Sequence, residues 1–183
     1  AADVAAAAPY RMADISHWET VTDWPTVKSQ LDGIYIKTTE GKTVTDWTYT
    51  ASARGAQAAG LPYGFYHYFW PNRKASGKAY SEGQAQYFYN AIKGYGYTLT
   101  PVLDVEETNT CSPSEITNDV KYFIAKFKQL SGQDVMIYCS PSYADDNFLG
   151  SGLAANRLWV AHYGVDSPRA TRMWGDNWAM WQY

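Results

Sequence analysis

The sequence has few charged residues. Only 18% of its 183 residues are Asp, Glu, Lys or Arg, and the formal net charge is −3. Nucleic-acid-binding domains usually carry a basic stripe, and none is visible here, so we expect no nucleic-acid partner. No run of 18 or more apolar residues occurs, so the sequence predicts no spanning helix and no membrane partner.

Metal-binding and nucleotide-binding motifs are also missing. The two cysteines, Cys111 and Cys139, form no CxxC pair; they are either two free thiols or one disulfide, and an exported protein would favour the disulfide. The histidines, His17, His67 and His162, are widely spaced and lack an H-E-x-x-H signature. No G-x-G-x-x-G or Walker motif follows a strand. We therefore expect no metal ion and no cofactor.

Aromatic residues, in contrast, are abundant: the chain has 16 Tyr, 8 Trp and 6 Phe. Tyr and Trp combine an apolar ring with one polar group, and they are often placed in clefts. A surface that is low in charge and rich in these rings favours stacking on sugars over binding of phosphate. The composition thus favours a carbohydrate ligand.

Strand-like and helix-like segments alternate along the chain. We predict strands at 11–16, 33–39, 62–69, 99–106, 134–140, 157–164 and 178–183, and helices at 23–31, 45–60, 76–94 and 112–132. This alternation indicates parallel strands with helical crossovers, in an open sheet or in a barrel. The shorter connections after Pro141 favour a barrel whose second half has lost helices. The length suits one domain, over residues 10–183, behind a flexible Ala-rich leader at 1–9.

Active sites of parallel α/β folds gather at the carboxyl ends of the strands. The side chains that we predict there for substrate binding are Lys37, Tyr66, Tyr138, Trp159, His162, Tyr163 and Gln182. Together they describe a groove lined with rings.

The segment "TPVLDVEETN", residues 100–109, runs from an apolar strand into a cluster of acids. Asp104 and Glu106 are two residues apart, which in a strand places both on one face, roughly 6–7 Å apart. Neighbouring carboxylates push their pKa values apart, and a glycosidase needs one acid and one stabilising charge. Asp14, at the end of the first strand, is a third candidate. The alternatives are solvated acids at a strand end and, for Asp14, an N-cap of a following turn.

Seven motifs in order resemble the glycoside hydrolase family 25 lysozymes, the Chalaropsis-type N-acetylmuramidases. They are "ADISHW" (13–18), "IYIKTTEG" (34–41), "AQAAGLPYGFYHYF" (56–69), "TPVLDVE" (100–106), "MIYCSPSY" (136–143), "LWVAHYG" (158–164) and "MWQY" (180–183). The order and spacing of the motifs make the resemblance specific, and it covers the chain from about Tyr10 onward.

The resemblance implies an irregular TIM-like β/α barrel with about five βα units, followed by strands that lack helices. It implies a lysozyme that cleaves the β-1,4 bond between N-acetylmuramic acid and N-acetylglucosamine in peptidoglycan. By matching motifs, Glu106 corresponds to the proton donor, and Asp104 and Asp14 to supporting acids. We expect residues 10–183 to be the catalytic domain of a monomer that acts on peptidoglycan glycan strands, either secreted or phage-encoded and released to the wall.

One departure from the family pattern and two rival functions stay open. Family members carry a further acid after the W-Q-[YW] strand, and Asp166 and Asp176 precede that strand here. Either that acid is dispensable, or this chain lacks the segment that carries it, or the segment is rearranged. The rival functions are a glycan-binding module without catalysis and a chitinase-like glycosidase. The acid pair disfavours the first, and the absence of a D-x-x-D-x-D-x-E run disfavours the second.

Overall fold

A computed structural model of the protein describes residues 9–72, 77–150 and 152–183. Residues 1–8 of the expected leader lie outside this part of the chain. Within the described residues, no helix is both long enough and apolar enough to cross a membrane.

Across the described residues, the architecture is a curled sheet of eight strands with helices packed outside it. The strands are β1 (Met12–Ile15), β2 (Gly33–Glu40), β3 (Val44–Thr45), β4 (Tyr63–Tyr68), β5 (Val102–Asp104), β6 (Met136–Cys139), β7 (Leu158–Ala161) and β8 (Met180–Gln182). Their order is β1-β2-β4-β5-β6-β7-β8, all parallel, with β3 antiparallel to β2 at its side. Among the described residues no backbone pairing joins β8 to β1. The fold is therefore an irregular β/α barrel.

In the part of the chain that the structure describes, five helices follow the first strands. They are α1 (Trp24–Gln30), α2 (Tyr49–Ala58), α3 (Gly77–Ile92), α4 (Pro113–Ser131) and α5 (Pro141–Asn147). Each connects one parallel strand to the next, whereas no helix separates β7 from β8 among the described residues. The prediction of about five βα units followed by strands without helices is confirmed.

Local sequence sets where α4 begins and ends. The Ser112 hydroxyl accepts a hydrogen bond from the Glu115 amide, and the Glu115 carboxylate accepts one from the Ser112 amide, forming a capping box. Gly132 ends the helix with a φ of 73°, which is costly for residues with a Cβ. The apolar stripe of α4, including Phe123 and Phe127, is buried against Phe88 of α3.

The inner strands of the sheet are largely buried on both faces, which holds their carboxyl ends in place; these are β2, β4, β5, β6 and β7. Ile34 and Ile36 of β2 and Phe65 of β4 are almost fully buried in the layer beneath the helices. Tyr35, Val102, Tyr138 and Trp159 form a second buried cluster. Parallel strands alternate their side chains between these two clusters, so the polar residues at the strand ends are the ones left to form a site.

Two details differ from the sequence prediction. β5 ends at Asp104, two residues before the predicted end at Glu106, although the Val105 amide still donates to the Tyr138 carbonyl at 2.9 Å. Neither β3 nor α5 was predicted. The two residues of β3 are too few to show a period, and Thr45, predicted as the first residue of a helix, lies in β3, whereas α2 begins at Tyr49. α5 was missed although its start, Ser140 and Pro141, carries the same kind of cap and proline signal as the seven-residue α1, which was predicted.

Candidate active site

A pocket of about 190 Å³ opens at the carboxyl ends of the strands. Its lining combines acids, rings and one lysine: Asp14, Ser16, Trp18, Lys37, Tyr66, Tyr68, Val102, Asp104, Glu106, Tyr138 and Trp159. The three predicted acids are therefore brought to one pocket. So are four of the seven residues predicted to bind substrate.

Asp104 and Glu106 lie at the base and at the mouth of this pocket. Asp104 is 7% exposed, Glu106 is exposed, and Val105 between them is fully buried in the core. The Oδ1 atom of Asp104 is buried and has no hydrogen-bond partner among the described residues. Both carboxyl groups face the pocket even though the strand itself has ended.

The environment of Asp104 favours its protonated form. Burial raises its pKa well above the usual range, and the charge of Glu106 and a hydrogen bond with it add to the effect. The positive charge of Lys37 lowers the pKa of Asp104, whereas the negative charge of Asp14 raises it. Burial of Asp104 at the base of the pocket therefore favours the protonated form of this carboxyl group.

Asp14 enters the pocket from the end of β1. Burial raises its pKa, and the nearby charge of Glu19 raises it further. A hydrogen bond from Gln182 Nε2 to Asp14 Oδ1, at 2.8 Å, acts in the opposite direction because it stabilises the carboxylate.

Lys37 is held at the pocket wall by Glu40, an acid that does not line the pocket. Its Nζ donates to Glu40 Oε2 at 2.8 Å and lies 5.0 Å from the centre of the Tyr68 ring. Glu40 also accepts a hydrogen bond from Trp70 Nε1 at 2.9 Å. The lysine is thus fixed at a place from which its positive charge lowers the pKa of Asp104.

Tyr66, Tyr138 and Trp159 supply aromatic walls. Tyr138 and Trp159 meet edge to face, with ring centroids 5.1 Å apart. Burial raises the pKa of both Tyr66 and Tyr138, so each hydroxyl keeps its proton and can donate a hydrogen bond. This wall presents rings and neutral hydroxyls, a surface suited to sugars.

The remaining predicted residues, His162, Tyr163 and Gln182, lie outside the pocket lining. His162 Nδ1 accepts a hydrogen bond from the Arg169 amide at 3.2 Å. Tyr163 is 61% exposed and its hydroxyl lies 3.3 Å from that of Tyr138. Gln182 is not in the lining but is hydrogen-bonded to two lining residues, Asp14 and Tyr138, and to the Tyr163 hydroxyl.

Two rings in the pocket were not among the predicted binding residues. Tyr68 follows Tyr66 by two positions in β4, so strand periodicity was a signal that could have identified it. Trp18 lies in a turn closed by a hydrogen bond from the Glu19 amide to the Ser16 carbonyl, at 3.1 Å. A turn has no side-chain period, but Trp18 follows the carboxyl end of β1, which ends at Ile15, so its place at a strand end was the available signal.

The histidines and cysteines outside the pocket contact residues of the protein's own core and loops. His67 is fully buried between Thr39 and Gln84, and His17 Nδ1 lies 2.9 Å from Asp46 Oδ2. Over the described ranges, no group of three or more His, Cys, Asp or Glu could hold a metal ion. The cysteines, Cys111 and Cys139, are both buried, and no disulfide joins them in the structure.

A larger cavity, of about 440 Å³, lies at the opposite ends of the strands. It is lined by residues that precede β5, β6 and β7, and its single carboxylate, Asp134, is ion-paired with Lys128 at 2.9 Å. Because it contains no pair of acids, size alone does not make it the catalytic site. The smaller pocket contains three carboxyl groups, including the pair that glycosidic bond cleavage requires, so it is the candidate active site.

Comparison with known proteins agrees with this arrangement. Residues 13–183 match the family model described as "Glycosyl hydrolases family 25". The chain belongs to glycosyl hydrolase family 25. The motif resemblance found in the sequence is thereby confirmed, and the polar strand ends described above are those of a family 25 fold.

Curated relatives match most of this chain. The autolytic lysozyme of Clostridium acetobutylicum is 37% identical over 85% of the chain and 45% of its own length. Lysozyme M1 of Streptomyces globisporus is 34% identical over 93% of the chain and 60% of its own length. The chain thus spans about half the length of these curated relatives. A bacterial lysozyme structure from Streptomyces coelicolor superposes with a TM-score of 0.83 at 31% identity, covering 97% of this chain and 85% of that one.

Proposed function

We propose that this protein is a muramidase that hydrolyses the β-1,4 bond between N-acetylmuramic acid and N-acetylglucosamine in peptidoglycan. The observation that carries the proposal is the buried Asp104 beside the exposed Glu106 inside an aromatic pocket. Lysozymes among its family 25 relatives support this choice of substrate. We further propose that it works as a monomer outside the cell or at the wall.

In the proposed mechanism, Glu106 donates the proton to the glycosidic oxygen. Glu106 is the exposed member of the pair, whereas the proton is stored on Asp104. As the bond to the anomeric carbon breaks, the proton passes from Asp104 through Glu106 to the leaving sugar. General acids of this kind contribute roughly 10²–10⁴-fold to the rate.

Loss of its proton leaves Asp104 charged when positive charge develops on the substrate. The 2-acetamido oxygen of the muramic acid residue attacks the anomeric carbon, and the acetamido N–H donates to Asp104, as in substrate-assisted glycosidases. Water then adds to the anomeric carbon and gives its proton to Glu106, which reforms the acetamido group. Asp14 adds a second negative charge beside the reacting centre.

A direct inverting displacement, with Asp104 or Asp14 as the base, uses the same residues and gives a different product. The assisted route retains the β configuration, whereas inversion produces the α-anomer. NMR of the first product formed distinguishes them, and an α-anomer appearing first would exclude the assisted route.

Glu106→Gln tests the central assignment. We expect it to abolish lysis of Gram-positive walls while leaving the circular dichroism spectrum unchanged. Glu107→Gln is the matched control, because Glu107 accepts a hydrogen bond from the Tyr68 hydroxyl at 3.1 Å and does not line the pocket. We expect this control to retain most of the activity. Near wild-type lysis by Glu106→Gln would refute the proposal, and release of reducing ends from chitin rather than from peptidoglycan would identify a chitinase.

A further inference from the structure

Gln182 bridges the open seam of the barrel with its side chain. It is the last residue of β8, and no backbone pairing joins β8 to β1 in the described residues. Its Nε2 nevertheless donates to Asp14 Oδ1 of β1 at 2.8 Å, across 168 positions of sequence. The side chain therefore connects the two edges of the sheet at the level of the active site.

The other end of the amide is held by two tyrosines. Gln182 Oε1 accepts a hydrogen bond from the Tyr138 hydroxyl at 2.5 Å and another from the Tyr163 hydroxyl. Two donors at the oxygen leave the NH₂ group to face Asp14. An amide N–H needs an acceptor, which the ionised carboxylate provides; with the amide reversed, its oxygen would meet a carboxylate oxygen and repel it.

We propose that Gln182 is a positioning residue, which keeps Asp14 ionised and oriented, and that it does not bind substrate directly. Its amide oxygen and one amide hydrogen are already engaged by protein groups. This role rests on the proposed muramidase function only for its catalytic consequence, since the contact between Gln182 and Asp14 exists without substrate.

The surroundings of Asp14 explain why such a donor is needed. Glu19 and Asp104 face it with acidic groups, and Tyr66 on β4 and Tyr138 on β6 lie nearby as neutral phenols. Burial and Glu19 raise the pKa of Asp14, whereas the Gln182 hydrogen bond lowers it. The charge of Asp14 in turn raises the pKa of Asp104. Gln182 therefore acts on the proton-holding pair through Asp14.

Gln182→Met tests this role because it removes the donor and nearly preserves side-chain length. Titration of the Asp14 carboxyl by ¹³C NMR should move to higher pH. The rate of wall lysis should fall at least about tenfold at the acid end relative to the alkaline end, since a hydrogen bond to a charged group changes an equilibrium by that order. Tyr163→Phe is the matched control: it removes one contact at Oε1 and keeps the N–H donated to Asp14, so the Asp14 titration should stay at the wild-type pH.

Two results would overturn the inference. One is an Asp14 titration in Gln182→Met that coincides with wild type. The other is a higher KM with an unchanged pH profile, as expected if Gln182 only contacted substrate. The NMR titration needs no activity, so it decides the role of Gln182 even if the protein proves not to be a muramidase. Should Gln182→Met not fold, Gln182→Glu keeps the acceptor oxygens for both tyrosines, replaces the donor by a negative charge and should move the Asp14 titration in the same direction.

Discussion

The stability of the protein should depend on pH through one buried histidine. His67 of β4 is fully buried; its Nδ1 lies 2.8 Å from the Thr39 hydroxyl and its Nε2 lies 3.1 Å from Gln84 Oε1. Gln84 Oε1 can only accept, so Nε2 carries the hydrogen and Nδ1 accepts from Thr39. The neutral imidazole satisfies both contacts, whereas an imidazolium would need a second acceptor.

Burial lowers the pKa of His67 from 6.5 to about 4, and the unfolded chain keeps the ordinary value. Between these two pH values the unfolded state binds more protons than the native state, so the free energy of unfolding falls as the pH falls. The effect is small at pH 7, reaches about 2 kcal/mol at pH 5 and about 3 kcal/mol at pH 4.

Urea unfolding followed by tryptophan fluorescence, at pH 7, 5 and 4, measures this loss. We compare wild type with His67→Gln, which cannot titrate, since buried carboxyl groups add their own pH dependence to both proteins. Wild type should lose about 3 kcal/mol more than the variant between pH 7 and pH 4. Phe127→Leu is the matched control: it weakens the core at every pH and keeps His67, so its pH dependence should follow wild type. Parallel curves for wild type and His67→Gln would refute the reasoning.

Three further changes have defined outcomes. Asp104→Asn should abolish wall lysis but raise the unfolding temperature above that of wild type at alkaline pH. Burial raises the pKa of Asp104, so the wild-type protein loses stability as the pH rises through that pKa, whereas the Asn variant does not. A lower unfolding temperature of the variant at alkaline pH would contradict this. Lys37→Met should move the alkaline limb of the lysis profile to higher pH, since the lysine charge lowers the pKa of Asp104, and an unmoved limb would exclude that coupling. Ser112→Ala should cost about 1 kcal/mol in urea unfolding through loss of the α4 cap, and an unchanged midpoint would mean that the cap is dispensable.

Much of the fold was predictable because its signals are local. Ser112 and Glu115, which are three positions apart, define the start of α4 through their reciprocal hydrogen bonds. The apolar stripe that contains Phe123 and Phe127 repeats at helical spacing. Alternation of apolar strands with such helices predicts parallel pairing without any knowledge of distant contacts. β3 was not predicted because its two residues are fewer than the window in which a period can be recognised. α5 was missed although Ser140 and Pro141 give a local helix-start signal like the one before α1, which has the same length.

The site was predictable to the extent that it follows strand ends. Asp14, Asp104 and Glu106 were placed in one pocket by the rule that parallel strands end at the same edge of a sheet. His162 follows the same rule and is nevertheless turned to the Arg169 amide in a loop. The rule places the backbone of a residue, whereas its side-chain direction depends on loop contacts that the rule does not contain.

The sequence by itself determined the order of the βα units, the caps of the helices and the position of three acids at strand ends, because each depends on residues close together in the chain. Tertiary structure decided how those acids share their protons. Burial selects Asp104 as the member of the pair with the raised pKa. Gln182 meets Asp14 only when the two edges of the barrel come together. Desolvation and long-range hydrogen bonds depend on what surrounds a group in space, so no local pattern specifies them.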